Sequence, residues 1–118
     1  MADAALYLGW GEVARGREKA ALDVFNESMQ YHGRLQKDGK IESFDVAILN
    51  PTGGDAGGFI LVRGTAQQID ALRRDDEYLD LVTRVQMIVH GLRLTDAIVD
   101  EGLVQQIARF EKVVGQFA

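Results

Sequence analysis

Glu42-Ser43-Phe44-Asp45-Val46-Ala47-Ile48-Leu49 and Gly58-Phe59-Ile60-Leu61-Val62-Arg63-Gly64, on either side of Asn50-Pro51-Thr52-Gly53-Gly54-Asp55-Ala56-Gly57, decide the fold of this chain. Both flanking segments are short, rich in β-branched and aromatic residues, and alternate in polarity, which predicts two strands. The segment between them carries the only proline of the chain and a glycine pair, so it predicts a hairpin connection. In the first strand Phe44, Val46 and Ile48 alternate with Ser43, Asp45 and Ala47. In the second, Phe59, Leu61 and Arg63 alternate with Ile60 and Val62. Both faces of the hairpin are partly apolar, so both must be covered.

Upstream, residues 5–13 predict a first strand with Leu6, Leu8 and Trp10 on one face and Tyr7, Gly9 and Gly11 on the other. Residues 17–37 follow with helical spacing, Ala21, Phe25, Met29, His32 and Leu35 sharing a stripe. Gly39 stands where a helix usually ends in the left-handed conformation, and Gly33 inside the helix predicts a bend or fray near His32. Downstream, Thr65 predicts an N-cap for a helix over 66–73, which Asp75 or Asp76 restarts and which runs to about Val89. Residues 92–99 predict the fourth strand. A closing helix over 101–117 has Leu103, Ile107, Phe110, Val114 and Phe117 on one side. The order β-α-β-β-α-β plus a C-terminal helix is an α+β, ferredoxin-like arrangement with a four-stranded antiparallel sheet, and 118 residues make it a single domain over 1–118.

Composition excludes more than it selects. The net charge of −5 argues against nucleic acid, because a duplex-binding domain carries a basic stripe and Arg73-Arg74 runs straight into Asp75-Asp76-Glu77. No apolar run reaches the length of a membrane span, and the first residues lack a basic segment ahead of an apolar one, so no membrane segment and a cytoplasmic location are expected. With no cysteine there are no disulfides or thiolate sites, and His32 and His90 have no recognisable metal-ligand spacing, so neither a metal nor another cofactor is expected.

Gly39-Lys40-Ile41-Glu42-Ser43-Phe44-Asp45-Val46, the glycine-rich hairpin, Phe59-Ile60-Leu61-Val62-Arg63-Gly64-Thr65, and Leu72-Arg73-Arg74-Asp75-Asp76-Glu77-Tyr78 together resemble the dimeric α+β barrel superfamily. The resemblance implies a homodimer in which two sheets face each other to close a barrel, with the helices outside. It also implies one of several activities, among them cofactor-free monooxygenases of the antibiotic-biosynthesis type, haem-degrading enzymes and muconolactone-isomerase-like enzymes, alongside members of no known function. The first strand lacks the asparagine of the haem-degrading members, so haem is not carried over. In the monooxygenase-like members the ligand pocket lies between sheet and helices.

Two functional expectations follow. The first is binding of a small hydrophobic or aromatic molecule between sheet and helices, with Tyr7, Trp10, Met29, Asp45 and Arg63 as candidate contacts. The second is a cofactor-independent monooxygenase or isomerase in which His32, on the apolar stripe of the first helix, is the general base. Each residue also has a plainer role: a hydrogen-bonded histidine, aromatic core packing, and an Asp–Arg pair that supports structure or lines a dimer interface.

Overall fold

A computed structural model describes residues 2–50 and 55–117. The expected hairpin loop therefore falls partly, over 51–54, outside the described residues. The elements are β1 (Ala4–Trp10), α1 (Glu18–Lys37), β2 (Ser43–Ile48), β3 (Gly58–Gly64), α2 (Ala66–Arg73), α3 (Asp76–Gln86), β4 (Arg93–Ala97) and α4 (Asp100–Gly115). The strands form one antiparallel sheet in the order β2-β3-β1-β4, with Leu6 opposite Val62 and Asp96, and Val46 opposite Ile60. This is the ferredoxin-like arrangement.

Alternation along the strands sorts the two faces. In β3, Gly58, Ile60, Val62 and Gly64 are buried while Phe59, Leu61 and Arg63 are only half-buried. The buried set joins Leu6 and Leu8 of β1 against Leu35 of α1, Ile69 and Leu72 of α2, and Tyr78 and Leu81 of α3. Full burial of each such side chain stabilises the fold by about 1.5–3 kcal/mol. The other face carries Tyr7, Phe59, Leu61, Asp45 and Arg63, and no helix among the described residues buries it.

Local signals set the helix ends. α1 closes with Gly39 at φ +74°, the Lys40 amide donating to the Leu35 carbonyl (2.9 Å) and the Gly39 amide to that of Gln36 (3.1 Å). That is a Schellman ending, which a residue with a Cβ would strain. Gly33 produces no break: α1 runs continuously through it to Lys37. Asp75 separates α2 from α3, its side chain capping the Tyr78 amide. Thr65 and Gln68 form a reciprocal capping box at α2. Thr65→Ala is expected to cost about 1 kcal/mol, read as a fall of roughly 4 °C in the thermal midpoint.

Several element ends differ from the sequence expectation, β4 covering only Arg93–Ala97 of the expected 92–99, and the ends of β1 and α3 differ most. β1 stops at Trp10 because the Gly11 amide donates to the His90 carbonyl (2.8 Å), leaving Val13 with only an isolated bridge to Val89. α3 stops at Gln86, and 87–92 turn back to the sheet with Gly91 at φ +66°. No helix among the described residues is long and apolar enough to cross a membrane.

Candidate functional site

The first half of α1 stands away from the sheet and leaves a cavity of about 460 Å3. Leu8, Trp10 and Ile60 make its floor, Ala21, Phe25 and Ser28 of α1 its roof, and Val85 in the last turn of α3, with Ile88 and Val89 just beyond it, its inner wall. Leu22 and Ile48, 61% and 70% exposed, edge the mouth together with Glu18. The site is apolar because the residues that face it come from the core stripes of two helices and the helix side of two strands. Among the described residues, Glu18 is the one ionisable group on its lining.

Trp10 is placed by glycine. Its ring meets Phe25 edge-on with centroids 6.4 Å apart, and its other side lies over Gly58, where a Cβ would come within 2.6 Å of the indole. Gly57 holds the floor from beneath: its amide donates to the Trp10 carbonyl (2.7 Å), and a side chain there would run into the Gly11 carbonyl oxygen. The glycine run thus shapes a cavity floor as well as a turn.

His32 lies outside this cavity, fully buried one helical turn further along. Its Nδ1 is 2.8 Å from the Ser28 carbonyl oxygen, which only accepts, so Nδ1 carries the proton. Nε2 then accepts from the Tyr78 hydroxyl at 3.0 Å. Tyr31, Tyr78 and Phe44 surround the ring at centroid distances of 5.4–6.2 Å. Burial holds His32 below the ordinary histidine value, partly offset by the Ser28 bond, and pushes the Tyr78 hydroxyl up. Beside it the Tyr31 hydroxyl donates to Asp75 (3.2 Å) and is raised to about 12, by burial first and then by the Asp75 and Glu77 charges.

The remaining candidates lie elsewhere. Tyr7 stacks on Phe59 (5.6 Å) on the sheet face away from α1–α3. Asp45 and Arg63 form an ion pair on that same face, and Arg63 also approaches Asp100 at 3.8 Å. Met29 is half-buried on α1, outside the cavity lining. Of the residues picked out by sequence, Trp10 is the one that reaches the cavity. Ala21 and Gly57, which line the cavity, and Gly58, which backs the Trp10 ring, were not picked out from the sequence. The available signal was a small residue on the α1 stripe opposite a paired glycine. Among the described residues no group of three or more histidine or carboxylate side chains comes together to hold a metal ion.

The layout of sheet and helices defines the class: a ferredoxin-like α+β protein. Among solved structures, the chain is similar to the hydroxynitrile lyase of Passiflora edulis, with a TM-score of 0.62 and 9% identity over 86% of this chain and 97% of that one. It is also similar to a dimeric ferredoxin-like protein of unknown function from Bacteroides fragilis, with a TM-score of 0.59 and 9% identity over 81% and 96%. SnoaB, a cofactor-independent oxygenase from Streptomyces nogalater, gives a TM-score of 0.53 and 12% identity over 85% and 96%. At these identities the likeness is one of fold. No protein-family model matches the chain, and no curated protein matches it in sequence.

Proposed function

We propose that the chain acts as a homodimer that binds a small apolar or aromatic molecule in the cavity beneath α1. The observation that carries this is the cavity itself: about 460 Å3, with an apolar lining, an aromatic ring on its floor at Trp10 and another on its roof at Phe25, and an open mouth. Cavities of a few hundred Å3 with apolar walls suit ligands of that class. Support for a dimer comes from the uncovered sheet face, with Tyr7, Phe59 and Leu61 half-exposed, and from the B. fragilis structure, which is described as dimeric. Binding is preferred to turnover because among the described residues the cavity offers one ionisable group, Glu18 at the mouth, while His32 has both ring nitrogens occupied inside the core.

Trp10 is the only tryptophan, so the cavity reports on itself. Titration with 4-bromophenol, whose heavy atom quenches indole emission on contact, is expected to give saturable quenching. Ala21→Phe, which fills the roof of the cavity, is expected to weaken that binding at least tenfold, about 1.4 kcal/mol, with the fold retained. Quenching that rises linearly without saturation, equally in both proteins, overturns the proposal.

A further inference from the structure

α4 is an amphipathic helix whose apolar stripe is covered by no other element among the described residues. Apart from Gly102 all of its residues are exposed, including Leu103 (47%), Ile107 (51%), Phe110 (66%) and Val114 (48%), which share one side, and Phe117 just beyond extends that side at 87%. A lone helix of 16 residues is marginal in water, so a stable α4 needs a surface to cover its stripe. The helix also lengthens the chain: the radius of gyration is 16.3 Å, against about 13.5 Å for a compact protein of this size.

The root of α4 is fixed facing away from its own body. Asp100 takes a left-handed φ of +50°, turning the chain out of the line of β4. Gly102 then sits so tightly on the Asp3 carbonyl oxygen that no side chain fits between them. The Asp100 carboxylate meanwhile lies 3.8 Å from Arg63, which belongs to the uncovered sheet face. The stripe therefore begins at the rim of the face that carries Tyr7, Phe59 and Leu61, and the two apolar surfaces adjoin.

We propose that α4 is an exchanged arm: in the homodimer each copy's stripe at Leu103, Ile107, Phe110, Val114 and Phe117 docks on the other copy, extending the sheet interface. This rests on the dimer proposed above and names the residues that hold it. The exposed apolar side chains of the arm present on the order of 700 Å2, close to the roughly 800 Å2 that one partner gives a stable interface. A two-fold pair supplies two arms and two receiving surfaces, so the assembly closes without leaving a stripe bare. An anionic membrane is the poorer occupant, because Arg109 and Lys112 are outnumbered on the helix by Asp100, Glu101 and Glu111.

Sedimentation equilibrium on the full-length chain tests this. The expected result is a dimer whose dissociation constant rises at least a hundredfold in Ile107→Asp/Phe110→Asp, likewise in Leu61→Asp on the sheet face, and less than twofold in Gln105→Asp/Gln116→Asp on the polar side of the arm. The arm residues are already exposed in the single chain, so circular dichroism and Trp10 emission should be unchanged in the arm variants. A dimer unaffected by the Ile107/Phe110 pair overturns the arm while leaving a sheet-only dimer standing. Full-length protein that is monomeric at 100 µM, or that instead co-sediments as a monomer with phosphatidylcholine–phosphatidylglycerol vesicles, overturns the arm and the dimer together. Saturable quenching by 4-bromophenol is read separately on the same samples, so loss of the ligand proposal is not confused with either.

Discussion

Replacing His32 with alanine is expected to lower the free energy of unfolding by about 3–5 kcal/mol, a large part of the roughly 5–15 kcal/mol that holds a typical domain together. The substitution empties a fully buried site and strips the Tyr78 hydroxyl of its acceptor, so a packing loss and an unsatisfied polar group act together. Urea unfolding at neutral pH measures it. The same geometry gives a pH dependence with a definite sign. His32 is held below its ordinary 6.5 in the folded chain, so below that pH the unfolded chain takes up a proton that the folded chain refuses. Stability is thus fully present above pH 6.5 and is lost as pH falls toward the depressed folded value, by at most about 1.4 kcal/mol per pH unit. The measurement is the stability difference between the natural chain and His32→Gln, which cannot titrate. The difference should be flat above about pH 7.5 and should move against the natural chain below 6.5. A difference that stays constant down to pH 5 would show that the imidazole is accommodated in its charged form.

The second large effect is expected at Gly57. A Cβ added there collides with the Gly11 backbone, at the point where the Gly57 amide bonds to the Trp10 carbonyl at 2.7 Å. A neighbour that is backbone cannot swing aside as a side chain can, so the end of the β1–β3 pair must open. Gly57→Ala is therefore expected to cost about 2–3 kcal/mol by chemical denaturation and to move the floor of the cavity. Trp10 emission should shift to the red as water reaches the indole, and 4-bromophenol should no longer saturate. An unfolding midpoint and an emission maximum both unchanged would mean that the loop accommodates a methyl group freely, and with it that the glycine does not shape the floor.

The architecture was legible because its signals are local and repeated. Period-two alternation at 58–64, a glycine at 39 in the left-handed region and an aspartate at 75 able to restart a helix each carry their own physical cause. The end of β1 was not legible. Val13 has the side chain of a strand residue, but whether the ladder continues depends on where the His90 carbonyl arrives, and 80 residues of chain decide that. The site was legible in one residue. Chemistry-bearing types attract attention, yet a helical stripe shows only that His32 and Ala21 point inward, not that one meets core and the other open space. Tyr7, Asp45 and Arg63 do share a face, as alternation and register require. That this is the face the helices leave bare follows from the handedness of the connections and the packing of α1–α3, neither of which is written in any one segment.

The strand order has a last consequence, for how the molecule comes into being. β1 is synthesised before the other three strands but lies in the middle of the sheet, between β3 and β4. It meets one neighbour only after Gly64 has been synthesised and the other only after Ala97. Pairings so distant in sequence close slowly, and until they form, the Leu6 and Leu8 edge stays wet. The nascent sheet is thus committed to assembling nearly all at once, after β4 has been made, with little to gain from folding piecemeal.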